Sequence, residues 1–556
     1  MSRSNSIETP RRRKDRSRYA PFVSLLAGIA ATCASGICDA QPAGRPDLGP
    51  RAPLPATTAP PPHRPGGTLP PPITPGPSKA PPGFYIGDAN DNATIISDSE
   101  FVWARFFANS DDDEAAGIQT EFDNAFKVGA LMPVWYYGRR TVALVHLYDL
   151  VAPIDPARAG KYLERLRRMA DVFLANRDDL RVLHAPYPQC IGTSGTTDAF
   201  RGRRMPSWGG CAADRDNKWN TDVVVAGLLT YPMAAFARRV TDNPALQGTS
   251  CGSGRKAPSL HFPNGVGGCT YASEAIRFIT ATLDSYAGYR HEMHLTDADP
   301  WAYFTVPTAY GQLACNSGDD KVNHACSGYR DTAGKAIAYN ENLSLMKALA
   351  EAAIAADSAL YRASPNNAGR VNLAVNEAPR LIAKNFTFYD QHLRTKTLDD
   401  GTPYFQWDTQ EPGIGLLGKH VLQDTAHAGF EMGSLATLLQ DKVLLNAMLA
   451  RAGRRESLGL SAPLFVRFAN TFLRRIWTYD FQNPNGPRNL LANGIDGKPT
   501  PTMAPNENSN TGCEGWAPLA EFDKWVWTRC RDATFVSESF WHEDNLAALL
   551  RYRKFH

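Results

Sequence analysis

The strongest constraint on this chain is an alternation of two kinds of helical pattern from about residue 84 to the C-terminus. One kind opens on polar and aromatic residues and then turns small and apolar. It recurs at 135–150 (WYYGRRTVALVHLYDL), 219–240 (WNTDVVVAGLLTYPMAAFARRV), 339–356 (YNENLSLMKALAEAAIAA), 424–439, 516–527 and 541–552. The other kind, at 157–176, 271–290, 371–392 and 462–479, sets a charged face against an apolar one. A helix that is apolar almost all round is enclosed by protein, whereas a charged face meets water. The pattern predicts an all-α body of inner helices wrapped by outer ones. Irregular spacing excludes a regular tetratricopeptide-type solenoid.

The stretch QDTAHAGFEMGSLATLL (423–439) shows the inner type most clearly. Asp424, His427 and Glu431 fall at spacings of three and four and share a helical face with Leu435 and Leu438. The first turn of such a helix faces a cleft. Its later turns face a core.

The net charge of +3 is concentrated at the N-terminus, where residues 1–40 hold seven Lys/Arg against Glu8, Asp15 and Asp39. The near-neutral remainder offers no electrostatic case for nucleic acid or an anionic membrane surface. The basic stretch precedes an apolar run at 20–37 and then Cys38-Asp39-Ala40, which reads as a secretory signal cleaved near Ala40. An uncleaved anchor is the alternative, disfavoured by the short run and Pro21. Residues 41–83 are dominated by Pro, Gly, Ala and Thr, cannot bury a core, and read as a disordered, partly polyproline linker. Residues 84–556 are then the folded domain. Near its start GDANDNATIISDSE (87–100) opens like a calcium loop but lacks the Gly and the placed Glu, so a turn is expected there.

Cysteine usage agrees with a secreted or periplasmic location. Beyond Cys33 and Cys38, eight remain as four sequential pairs: Cys190 and Cys211, Cys251 and Cys269, Cys315 and Cys326, Cys513 and Cys530. Eight cysteines allow 105 pairings. Neighbour pairing is the simplest, each bridge then closing one long loop in an oxidising compartment.

The inner-helix openings WNTD (219–222), AYNENLSLMKALAEA (338–352), DTAHAGFEMGSLA (424–436) and FWHEDNLAALLRY (540–552) resemble those of the α/α-toroid, or six-hairpin, carbohydrate-active enzymes, which include glycoside hydrolases and polysaccharide lyases. The resemblance is one of architecture over roughly residues 100–552. It implies an (α/α) toroid with long disulfide-stapled loops and a polysaccharide or oligosaccharide substrate in a central cleft. It assigns no catalytic residue.

In such a toroid the openings converge, bringing Asp222, Glu341, Asp424, Glu543 and Asp544 towards one mouth. Each also reads as a helix cap or a first-turn acid that complements the helix dipole. Glu341, Asp424 and Glu543 are the carboxylates from which a hydrolase would draw its acid and its base or nucleophile. His427, one turn beyond an acid, fits a general base or acid, and equally a core histidine bonded to Glu431. A lyase acting on uronic-acid polymers would take its base from His427, Tyr339 or Tyr310, and a non-catalytic glycan-binding or scaffold protein is the third reading.

Trp219, Asn220, Asp222, Trp301, Tyr310, Tyr339, Trp407, Trp541 and His542 are expected to contact sugar, because ring C–H faces lie on aromatic rings while hydroxyls meet polar groups. Aromatics at helix openings pack in cores as readily. No cofactor is expected. His291 and His294 lack zincin spacing, so no metal site is assigned, and no phosphate loop, dinucleotide fingerprint or GxSxG elbow occurs.

Overall fold

The structure, a computed structural model, describes residues 90–128, 133–181, 196–211, 219–251, 269–307, 334–415, 420–477, 491–492, 494–497, 513–536 and 542–556. The expected signal and linker lie outside this set, as do Tyr310, Trp541, Cys190, Cys315 and Cys326. The described residues are mostly helical, with four two-stranded antiparallel hairpins, and the all-α expectation holds.

Helices α1 (Asn92–Phe106) and α2 (Asp111–Val128) come first. The turn expected at 87–100 is instead the start of α1. Asp91 accepts the Thr94 N–H at 2.9 Å and caps the helix, a signal that outweighs the calcium-like opening. Helix α3 (Pro133–Val151) leads into α4 (Pro156–Ala175), capped by Asp155 with Pro156 in the first turn, where its missing N–H costs nothing. Hairpin β1 (Thr197–Asp198) with β2 (Arg203–Arg204), and hairpin β3 (Gly209–Cys211) with β4 (Trp219–Thr221), precede α5 (Val223–Asp242). The expected helix at 219–240 thus starts four residues late, because Asp222 caps at Val223 and Trp219–Thr221 pairs as a strand. Helix α5 is long and apolar enough to cross a membrane, yet nearly all of it is buried against other helices.

Next come α6 (Tyr271–Tyr289), the hairpin β5 (Met293–Leu295) with β6 (Ala302–Phe304), α7 (Tyr339–Ala356) and α8 (Ala378–Asp390). The pattern at 371–392 proves broken, since Leu373–Glu377 forms a π-turn before Pro379 enters the first turn of α8. Hairpin β7 (Arg394–Thr397) with β8 (Pro403–Gln406) leads to α9 (Thr425–Arg451), which outruns the expected 424–439. Helix α10 (Ala462–Thr471) follows. The helix expected at 516–527 is a 3-10 turn, Ala517–Glu521, and then α11 (Lys524–Val536); the chain ends in α12 (Glu543–Tyr552).

The packing follows the two helix types. Helix α3 packs on α5, α5 on α7, α7 on α9, α9 on the 3-10 turn 517–521, that turn on α12, and α12 back on α3. Helices α4, α6 and α8 each lie across two consecutive members of this circuit, and α1 lies across α3 and α12. Gly227 lets α5 press on α7, because a Cβ there would stand 2.5 Å from Leu345 N. The apolar residues of these helices form one continuous core. Of the neighbour cysteine pairs, Cys251 and Cys269 are bonded with Cα atoms 5.5 Å apart, and Cys513 and Cys530 with Cα atoms 5.4 Å apart.

Candidate functional site

A cleft of about 600 Å³ opens among the N-terminal halves of α3, α5, α7 and α9 and the segment just before the 3-10 turn. Its polar walls are Arg139 from α3, Tyr231 from α5, Ser344 and Lys347 from α7, and Glu514. Gly138, Gly227, Gly429, Gly433 and Gly515 complete the lining, so backbone comes close to the space. Gly515 sits directly on the Gly429 carbonyl, where a Cβ would overlap it. Further along the same helices a chamber of about 350 Å³ shares Val142, Tyr231, Lys347, Gly433 and Glu514 with the cleft, and continues to His146, Arg239, Glu351 and Arg551.

Glu514 is half-buried, and among the described residues its carboxyl makes no hydrogen bond and no ion pair. Burial pushes its pKa up to about 7 against the pull of Lys347, with Asp544 pushing the same way. A carboxyl so held is part protonated at neutral pH and can give a proton to a bound ligand. Lys347 is likewise without hydrogen bond or ion pair among the described residues, its ammonium 3.9 Å above the Tyr231 ring. Beyond it the charges are paired. Arg239 grips Asp149 through Nε at 2.8 Å and Nη2 at 2.6 Å, and stands 3.5 Å from Glu351. Arg551 reaches Asp149 at 3.0 Å and His146 Nδ1 at 2.8 Å. Burial, then the nearby Arg551, Lys347 and Arg239, hold the His146 pKa well below the usual value, so it stays neutral.

None of Asp424, His427, Glu341 and Glu543 lines the cleft. Asp424 caps α9, its Oδ1 accepting the Ala426 and His427 N–H groups at 3.0 Å, and its Oδ2 stands 2.5 Å from His427 Nδ1. Burial pushes the Asp424 pKa up, but His427 and the capping N–H groups together hold it below the usual value. The pair lies on the turn that delivers Ala426 and Phe430 to the cleft wall. The alternative partnership of His427 with Glu431 gives way to Asp424. Glu431 is sealed instead beneath Trp407 Nε1 at 2.7 Å, Tyr389 Oη at 3.1 Å and Gln423 Nε2, and burial raises its pKa to about 8 against these donors.

Glu341 closes its own helix, accepting the Ala338 N–H at 3.2 Å. Glu543 is buried 3.6 Å from Arg140, which also stands 3.3 Å from Glu114 and donates to the Phe106 carbonyl, so it looks towards α1 and α2. Burial raises its pKa to about 7, with Arg140 opposing. Its neighbour Asp544 is the one that reaches a cleft residue, Arg139, at 4.0 Å. Asp222 caps α5 through the Val224 N–H.

The aromatic expectations are largely corrected by burial. Trp219 is enclosed and donates to Asp178 at 2.8 Å, with Asn220 enclosed beside it, and Trp407 is enclosed over Glu431. Tyr339 is packed between Phe388 and Tyr389, and its hydroxyl has no hydrogen-bond partner among the described residues. None of these side chains offers a ring face to a ligand. Trp301 is half-buried against the core, and His542 stands at the N-cap position of α12.

Lys347, Glu514, Arg139 and Tyr231 were not singled out from the sequence. A signal existed for Lys347, the one cation in the apolar run SLMKALAEAAIAA. Glu514 is marked only by its place between Cys513 and Gly515. Comparison with protein-family models, curated proteins and solved structures returns no match for this chain.

Proposed function

We propose that the chain is an exported glycan-cleaving enzyme built as an α/α toroid, hydrolysing glycosidic bonds in the cleft among its inner helices. The closed circuit of inner helices, with outer helices laid across it, supports the toroid. The two bonded cysteine pairs suit an oxidising compartment. The observation that carries the reading is the unpaired Glu514 carboxyl, held near pKa 7 at the cleft wall. Two carboxyls whose surroundings push their pKa values apart make an acid and a base. Glu514 gives its proton to the leaving glycosidic oxygen as the C–O bond breaks. The attacking water bonds through its oxygen to the sugar carbon, and its proton passes through a second water to His427, which the ionised Asp424 orients on the turn that carries Ala426 and Phe430 to the cleft wall.

The test is reducing-end release from a panel of polysaccharides by the whole protein and by Glu514→Gln. The loss expected for a general acid is at least about a hundredfold. The acid form is needed, so the rate should fall as pH rises through about 7. Full activity in the folded variant would reject Glu514 as the acid. A second reading, β-elimination on a uronate polymer, is favoured by the cations Arg139 and Lys347 in the cleft. Its unsaturated products absorb in the ultraviolet and would appear in the same assay.

A further inference from the structure

Lys347 is only 7% exposed, in the middle of the inner helix α7, with Ser344 one turn before it and Glu351 one turn beyond. Its side chain borders both the cleft and the chamber beyond, so the ammonium is enclosed by protein yet open to whatever occupies that space. Every other cation of the chamber is matched: Arg239 by Asp149 and Glu351, Arg551 by Asp149 and His146. Among the described residues Lys347 makes no hydrogen bond and no ion pair; its ammonium lies 3.9 Å from the Tyr231 ring, with Glu514 and Glu351 bordering the same space but not bonded to it. A cation removed from water without a partner is costly, and the cost is recovered when an anion arrives. Arg139 adds a second positive charge to the same wall.

We propose that Lys347 is the specificity-determining residue of the cleft, where it receives one anionic substituent carried on a sugar ring, a carboxylate or a sulfate ester. The inference rests on the reading of the cleft as a glycan site. A flexible lysine presents a point charge that suits either anion. Burial lowers the Lys347 pKa while Glu514 and Glu351 pull it back up; a bound anion would add to that pull. The neighbouring Glu514 favours such a ligand most when it carries its proton, because the wall then bears two positive charges and no negative one.

The test is equilibrium binding to the whole chain carrying Glu514→Gln, which leaves ligands intact. Four probes are needed: an oligogalacturonide, its carboxyl-reduced counterpart, a sulfated dextran oligosaccharide and its unsulfated parent. At least one anionic probe should bind about tenfold or more tighter than its neutral parent, as a charge-assisted hydrogen bond allows. Whichever does so identifies carboxylate or sulfate ester as the source. Adding Lys347→Met should erase the preference, and Lys347→Arg should keep part of it. Equal binding of charged and neutral probes overturns the proposal without need of a lysine variant, as does a preference that survives Lys347→Met. If wild type cleaves neutral probes with no anion preference, this inference fails and the proposed hydrolysis stands. Lysine-dependent binding without cleavage has the opposite meaning, and no binding by any probe removes both.

Discussion

The His427 imidazole stands 2.5 Å from the Asp424 carboxylate on the opening turn of α9, and that same carboxylate caps the helix. Two roles therefore converge on one side chain. Asp424→Ala should cost about 1 kcal/mol of stability through the lost cap. His427→Ala leaves the cap in place and should unfold at nearly the wild-type urea concentration. If His427 shuttles the proton from water, His427→Ala loses glycan cleavage while keeping its unfolding midpoint. Full activity in that variant would reduce the pair to a helix terminus.

Glu431 should make stability depend on pH. Its folded pKa of about 8 lies above the ordinary 4.5, so the native state holds a proton that the unfolded chain releases between those values. Its contribution is complete below about pH 4.5 and declines as pH rises through 8. Glu431→Gln cannot titrate, and its urea midpoint should change less between pH 5 and pH 9 than that of wild type. Gln423 must turn its amide to serve the new NH2, which gives up the 3.2 Å bond from the Asp424 N–H to Gln423 Oε1. An unchanged pH profile would show that the three donors keep Glu431 ionised.

Gly515→Ala should be among the most damaging single-methyl changes in the chain. The new Cβ would land on the Gly429 carbonyl, which is backbone and cannot swing away. Overpacking of this kind costs about 1–3 kcal/mol or more. Gly117, exposed on α2 with nothing within 4 Å of a built Cβ, is the control. Gly117→Ala should instead stabilise by about 0.4–1 kcal/mol. Thermal unfolding of the two variants should move in opposite directions.

Arg239 and Asp149 should prove strongly coupled. Burial pushes the Asp149 pKa up, and the two arginines more than reverse it. Arg239→Met leaves Glu351 facing the chamber without its guanidinium and should cost about 3–5 kcal/mol, as breaking a buried pair does. Asp149→Asn on top of that change should cost less than it does alone. Strict additivity in a double-mutant cycle of denaturant midpoints would refute the coupling.

Sequence periodicity located the inner helices well where one apolar face runs unbroken, and α7 matches its expected span of 339–356. It erred where a local signal competed. Asp222 and Asp91 set helix starts that apolar periodicity overlooks, and so does Asp523, which accepts the Trp525 N–H at 2.9 Å where α11 begins after the 3-10 turn. The site was harder. Acids at helix openings are as readily caps as catalysts, and Glu341 and Asp424 are indeed caps. Whether a carboxyl is matched by an opposite charge depends on residues far away in sequence. Arg140 claims Glu543 from across the fold, while no described residue forms an ion pair with Glu514.

The circuit of helices also bears on synthesis. Its last member, α12, packs on α3 and α1, and just beyond it Arg553 meets Asp98 at 2.7 Å in the protein interior. Those partners are 455 residues apart. During translation every earlier helix can find its neighbour, but the seam of α12 with α3 and α1 cannot form until α12 itself has emerged. Contacts so distant in sequence form slowly. A nascent chain short of α12 therefore exposes the apolar flanks of α3 and α1, keeping an unsealed edge on which a quality-control factor can act until α12 docks.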